Sequence, residues 1–132
     1  MIAFALELGA VMIDDVSHEP ARDPQDLERL LVSRERAGDV DGMTALYELH
    51  AVIDRGDGQL ISGREAIRAF FAGLVAMGRK FEFGDQRAAV ISGDLALTST
   101  RSPDGSVTAE VARRQADGTS AVGNRQIFRY VA

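Results

Sequence analysis

The spacing of apolar residues changes once along this chain, near Lys80, from the 3.6-residue period of helices to the two-residue period of strands. Before that point Leu27, Leu30 and Leu31 share one helical face, as do Met43, Leu46 and Tyr47. Ile67, Phe70, Phe71, Leu74 and Val75 then form the longest stripe. After it come four strand-like runs, near residues 80–90, 94–102, 106–115 and 119–131. Ser92-Gly93-Asp94, Pro103-Asp104-Gly105 and Ala116-Asp117-Gly118 separate them, each with the residues that tight turns need. Strands that follow one another through short turns pair antiparallel, as a meander. Helices first and a strand meander afterwards define an α+β order. The 132 residues suffice for one domain with its own core.

Local signals set the expected boundaries. Asp23-Pro24-Gln25-Asp26 predicts a helix start, with Asp23 accepting from free amides and Pro24 at the first helical position, and Gly38 closes that helix. Asp39 opens a short second helix that carries Tyr47 near its end. His50 to Asp54 reads as a strand and Arg55-Gly56-Asp57-Gly58 as a turn. Ser62-Gly63-Arg64-Glu65 has the capping-box pattern at the head of the third helix, which Gly78 ends.

Composition narrows the function classes. The chain has no cysteine, so disulfides, thiolate metal sites and cysteine nucleophiles are excluded, which fits a cytoplasmic protein. A net charge of −5 argues against non-specific binding to nucleic acid. No apolar run reaches the roughly 18 residues needed to span a bilayer, so no membrane association is expected. Met1–Val16 is apolar, but it has no basic start and Glu7 interrupts it, unlike a secretion signal. A short helix and an extra strand are both open for Met1–Ile13, and residues 1–22 are expected as an irregular extension. The two histidines, His18 and His50, have no paired ligand spacing, so no metal is expected. The absence of a phosphate loop or dinucleotide fingerprint predicts no cofactor.

The run Ala37-Gly38-Asp39 to Ala45-Leu46-Tyr47, followed by Ala51-Val52-Ile53-Asp54 and Ser62-Gly63-Arg64-Glu65-Ala66-Ile67, resembles the ketosteroid-isomerase-like and SnoaL-like branches of the nuclear transport factor 2-like superfamily. Val111 to Thr119 is similar to the family's penultimate hairpin. The resemblance spans roughly residues 25–130. It implies a cone-shaped roll in which three N-terminal helices pack on a curved antiparallel sheet around a cavity, and a homodimer formed through the sheet's outer face. It also implies a choice of reactions that fold alone cannot make. The isomerase's own residues do not carry over. Its helix tyrosine falls on Leu31, its base at or beside Arg55, and its oxyanion carboxyl near Val111 or Ala112.

Other side chains remain as candidates, each beside a plainer reading. Asp54, at the end of the first strand, is either a general base at the cavity mouth or a turn carboxylate paired with Arg55 or Arg64. Glu110, if it faces inward, is a carboxyl with a raised pKa suited to proton transfer; facing outward, it pairs with Arg101 or Arg113. His50 is either a proton relay or a helix-end residue. Tyr47 and Phe70 are core residues or ligand contacts, and Tyr130 offers a second phenol. Asn124 and Arg125 interrupt the apolar pattern of the last strand, and Arg125 is the expected anchor for an anionic or carbonyl-bearing ligand. Two functions follow: a pocket for a small apolar molecule, with isomerase, cyclase or hydrolase chemistry and no cofactor, or a non-catalytic dimerisation or association domain.

Overall fold

A computed structural model describes residues 19–78 and 80–128. His18, Tyr130 and the segment Met1–Ile13 lie outside the described residues. Among the described residues three helices, α1 (Asp26–Arg36), α2 (Val40–Thr44) and α3 (Arg64–Ala76), combine with seven strands. The strands are β1 (Tyr47–Asp54), β2 (Leu60–Ser62), β3 (Asp85–Gln86), β4 (Val90–Ser92), β5 (Leu95–Arg101), β6 (Val107–Arg114) and β7 (Ser120–Phe128). They form one curved open sheet in the order β2-β1-β7-β6-β5-β3, with β4 also on β5.

The expected meander is present from β4 to β7, each neighbouring pair antiparallel. Its turns use the expected chemistry: at Asp117-Gly118, the aspartate accepts from the Thr119 amide and hydroxyl, and the glycine takes φ +84°. One pairing departs from the meander. β1 lies parallel to β7, and three extra residues of β1 bulge out between the pairs Tyr47↔Val122 and Val52↔Asn124. The run expected at 80–90 is split into β3 and β4, which cap successive parts of β5. Between them the Gln25 amide takes the Arg87 carbonyl at 3.0 Å, tying this edge to the start of α1.

Two local expectations change. Tyr47 opens β1 instead of ending a helix, because α2 stops at Thr44 and Leu46 already hands its carbonyl to the Val122 amide. Ser62 ends β2, and Gly63 at φ +87° is the N-cap of α3 with no side-chain cap, so the capping box does not form. The start of α1 is shifted as well. The Asp23 carboxylate accepts from the Gln25 amide at 2.9 Å in a turn just ahead of the helix. Asp39 does cap α2, accepting from the Gly42 amide at 2.9 Å. Part of the expected N-terminal extension is ordered into the fold, since Ala21 is buried and bridges Ser120.

The core lies between the helices and the concave face of the sheet. Leu27, Leu30 and Leu31 from α1 meet Met43, Tyr47 and Ile53, with Ile67 and Phe71 from α3. Each large apolar side chain so buried contributes about 1.5–3 kcal/mol. Tyr47 and Phe71 sit with ring centroids 5.4 Å apart. On α3 only Ile67 and Phe71 are fully buried, while Phe70, Leu74 and Val75 pack against the cluster from its edge. That partial cover leaves the space described next.

Candidate functional site

A cavity of about 600 Å³ opens between α3 and the concave face. Phe70, Phe71 and Leu74 of α3, with Met77 just beyond its end, supply its apolar side. Glu28 and Leu31 of α1, Ile53 of β1, Thr108 of β6, and Arg125 and Ile127 of β7 supply the rest of the wall. The β5–β6 turn and the segment Lys80–Glu82 form its rim.

The register of the sheet decides which polar groups face inward. Arg125 stands opposite Glu110 on β6, and Glu110 stands opposite Thr98 on β5. Paired residues share a face, so all three point to the concave side. The Arg125 guanidinium is held by Glu28 at 2.9 Å and reaches the Tyr47 hydroxyl at 3.4 Å. Arg125 and Glu28 are both largely withdrawn from solvent, at 9% and 15% side-chain exposure. Burial opposes the charge on Arg125, but Glu28, Tyr47 and Glu110 outweigh it and hold its pKa well above the ordinary value. Burial also pushes the Tyr47 phenol up to about 12, so at neutral pH it is an uncharged hydroxyl, and it accepts from Arg125.

Glu110 is 3% exposed. The Thr98 hydroxyl donates to one of its oxygens at 3.2 Å, and the other has no partner among the described residues. Its pKa is raised, first by burial and then by the Glu28 carboxylate; Arg125 and the hydroxyls of Thr98 and Thr108 pull the other way. A carboxyl of this kind holds its proton more readily than a free glutamate and is a stronger base once it has lost it.

Of the sequence candidates the structure places Phe70 and Arg125 on the cavity wall, with Tyr47 and the buried Glu110 behind the wall beside Arg125. It does not bring Asp54, His50 or Asn124 to this cavity. Asn124 is exposed beside Val111 on the convex face, one residue out of phase with Arg125. Asp54 follows the inward Ile53 and so faces out, where it accepts from the Gly56 amide at 2.9 Å and from Gln126 at 3.2 Å. His50 lies in the β1 bulge, exposed, on a separate depression that Arg64 and Arg113 also line. Among the described residues no His, Asp or Glu cluster could hold a metal ion, and no helix is long and apolar enough to cross a membrane.

Four polar members of this environment carry no obvious sequence signal: Glu28, Thr98, Thr100 and Thr108. Glu28 sits next to Leu27 in the first turn of α1, where an acidic residue is ordinary and needs no site to explain it. The threonines alternate at positions 98, 100 and 108, in step with Glu110, and that phase marks one face of two paired strands.

Residues 27–131 match the sequence profile of the SnoaL-like domain family. No curated protein matches the chain. Solved structures share its fold at low identity. A ketosteroid isomerase-like protein from Erwinia carotovora atroseptica is 13% identical, with TM-score 0.66 over 82% of this chain and 94% of its own. A candidate dehydratase of the NTF2-like family from Streptomyces avermitilis is 15% identical, with TM-score 0.68 over 80% and 93%. A candidate calcium/calmodulin-dependent protein kinase II association domain from Thiobacillus denitrificans is 17% identical, with TM-score 0.69 over 85% and 97%.

Proposed function

Because this chain belongs to the SnoaL-like domain family of the nuclear transport factor 2-like superfamily, we propose that its cavity takes up a small, largely apolar molecule and that Glu110 exchanges a proton with it. The observation that carries this reading is the buried, half-partnered Glu110 carboxyl between two wall residues, Thr108 and Arg125. The reaction class is isomerase-, cyclase-, dehydratase- or hydrolase-like chemistry run by side chains alone. Ionised Glu110 takes a proton from a carbon next to a carbonyl. Protonated Glu110 returns it to carbon or oxygen. Arg125, fixed by Glu28 and Tyr47, keeps positive charge beside the oxygen on which negative charge develops. Since Glu28 already matches the charge of Arg125, a carbonyl-bearing ligand suits the site better than an anion.

β-Tetralone, an apolar bicyclic ketone, tests this without knowledge of the natural substrate. Its exchange of α-hydrogens for deuterium, followed by NMR, is expected to speed up in the presence of the protein. Glu110→Gln should remove that acceleration, typically a loss of about 10²–10⁴-fold for a positioned acid or base. Exchange no faster than in buffer, or equally fast with the variant, would overturn the reading.

The convex face favours a second reading, an association domain that works as a homodimer. Val90, Leu97 and Val111 form one cross-strand row there and are 66%, 49% and 37% exposed. Exposed apolar rows of this kind mark protein contacts. The solved association domain of the same fold is consistent with it. A dimer mass by light scattering supports this reading, and a monomer mass at high concentration removes it.

A further inference from the structure

The depression at the β1 bulge shares none of its wall with the cavity under α3. The two lie at opposite ends of the β6–β7 hairpin. The cavity takes Thr108 near the start of β6 and Ile127 near the end of β7, whereas the depression takes Arg113 near the end of β6 and Ser120 at the start of β7. It holds about 680 Å³. Three arginines from three elements line it: Arg34 of α1, Arg64 at the head of α3, and Arg113.

These guanidiniums are placed unlike ordinary surface ion pairs. Arg64 gives Nε and Nη2 to the Tyr47 carbonyl, at 3.2 and 2.7 Å, where the bulge begins. Arg34 gives Nη1 to the Gly42 carbonyl at 2.8 Å and Nη2 to the Glu19 carbonyl, and its Nε is buried with no partner among the described residues. A carbonyl accepts a hydrogen bond but does not cancel a charge. Burial lowers the pKa of Arg34, and Asp39 and Glu19 recover only part of that. Arg113 does meet a carboxylate, Glu48, at 3.2 Å. The other acid of the wall, Asp117, accepts from the Thr119 amide and hydroxyl within its own turn. The wall thus carries three guanidiniums against two carboxylates, a local excess of one positive charge on a chain whose net charge is −5.

Serving the Tyr47 carbonyl does not by itself call for a cation, since a neutral side-chain amide donates as well. A guanidinium is the better group where a planar carboxylate is to be gripped, and Arg64 keeps Nη1 for that purpose. Leu46 and Leu49 add an apolar part to the same wall, and Leu49 is 60% exposed.

We propose that this depression is a second ligand site, and that it takes a small monoanionic carboxylate with an apolar body. Arg64 and Arg113 hold the carboxylate, His50 borders it, and Leu49 meets the apolar part. One surplus positive charge matches one carboxylate and leaves a phosphate dianion half-compensated. The site neither needs nor excludes the proton exchange proposed for the cavity.

Titration calorimetry on the full chain tests this with phenylacetate, phenylacetamide, acetate and phenyl phosphate, while NMR follows the His50 ring, assigned through His50→Gln. Phenylacetate should bind about tenfold more tightly than its neutral amide, a difference that hydrogen bonds to a charged group supply. It should also shift the His50 resonances, and acetate, which has no apolar body, should bind more weakly. Arg113→Gln should weaken phenylacetate about tenfold, and Leu49→Asp, which sets a carboxylate on the wall, should abolish its binding. Both side chains are 60% exposed, and Gln115 still holds Glu48 when Arg113 is gone, so the fold should survive either change. Equal affinity for acid and amide, binding that survives both variants, or an unmoved His50 overturns the proposal. Tightest binding of phenyl phosphate overturns its carboxylate part. Phenylacetate binding as expected without any acceleration of β-tetralone exchange would remove the reading of the cavity and leave this site standing.

Discussion

The two faces of this sheet invert the usual arrangement. On the concave side Thr98, Thr100, Thr108 and Glu110 are between 2% and 6% exposed. On the convex side Leu95, Leu97 and Val111, from the same two strands, are between 37% and 49% exposed. An antiparallel sheet with one covered face normally puts its apolar residues under the cover. Here the apolar load is carried by the helices and by β1, and β5 and β6 lend the interior their polar side chains. The comparison teaches that these two strands do not serve as a plain core layer: their polar side chains are withdrawn from water and their larger apolar ones are left in it.

The largest expected effect breaks the concave side at its ion pair. Arg125→Ala leaves Glu28 charged and nearly buried without its partner, which should destabilise the fold by about 3–5 kcal/mol in urea unfolding. Replacing both partners, Glu28→Gln with Arg125→Met, should recover much of that loss, because no uncompensated charge remains. A loss below about 1 kcal/mol for Arg125→Ala would show that water screens the pair, and the polar interior would have to be redrawn.

Next in size is the pH dependence of Glu110. Its folded pKa is raised above the ordinary glutamate value of 4.5, so between that value and the folded one the native state binds more protons than the unfolded state. Its contribution is thus fully present at acid pH and is lost as pH rises through the folded pKa. Glu110→Gln, which cannot ionise, should flatten this slope and raise stability at neutral pH by about 1–2 kcal/mol, with little difference near pH 4. Parallel stability curves for the two proteins between pH 4 and 8 would mean that Glu110 is not the buried acid described above.

How far such contrasts can be read before a structure depends on what fixes them. The helix–helix corner at Gly38-Asp39, the three hairpin turns and the α+β order are local, and Gly φ freedom, Asx turns and hydrophobic period encode them directly. The parallel β1–β7 pair, the bulge and the split of residues 80–90 depend on long-range register, which no local signal carries. Glu110 and Arg125 stood out as polar residues in strands, yet their facing turned on a phase that one bulge can reverse. The same bulge explains why Tyr47 belongs to β1. Glu28 could not be matched to Arg125 because the two are 97 residues apart, and threonine in a strand is too ordinary to suggest a site.

On the convex side the corresponding break is Leu97→Arg, at the middle of the row with Val90 and Val111. A residue 49% exposed should tolerate the change within about 0.5 kcal/mol in the isolated chain. If the row joins two copies, the charge should convert a dimer to a monomer by light scattering, since an unpaired cation would be buried at the contact. An unchanged dimer mass would move the association surface elsewhere.

The smallest effect sharpens the comparison at its margin. Asp54 lies on β1 one residue out of phase with Ile53, so it belongs to the outward side although it sits near the cavity mouth. Its carboxylate serves two neighbours, the Gly56 amide and Gln126. Asparagine keeps an oxygen for the Gly56 amide, and at this half-exposed position a turned-over Gln126 amide can accept from the new NH2, so the charge is the main loss. Asp54→Asn should therefore change stability by less than about 0.5 kcal/mol and leave the deuterium exchange of β-tetralone at its native rate. A tenfold fall in that rate with the fold intact would transfer the proton-exchanging role from Glu110 on the inside to Asp54 on the rim, and the division between the two faces would no longer separate chemistry from surface.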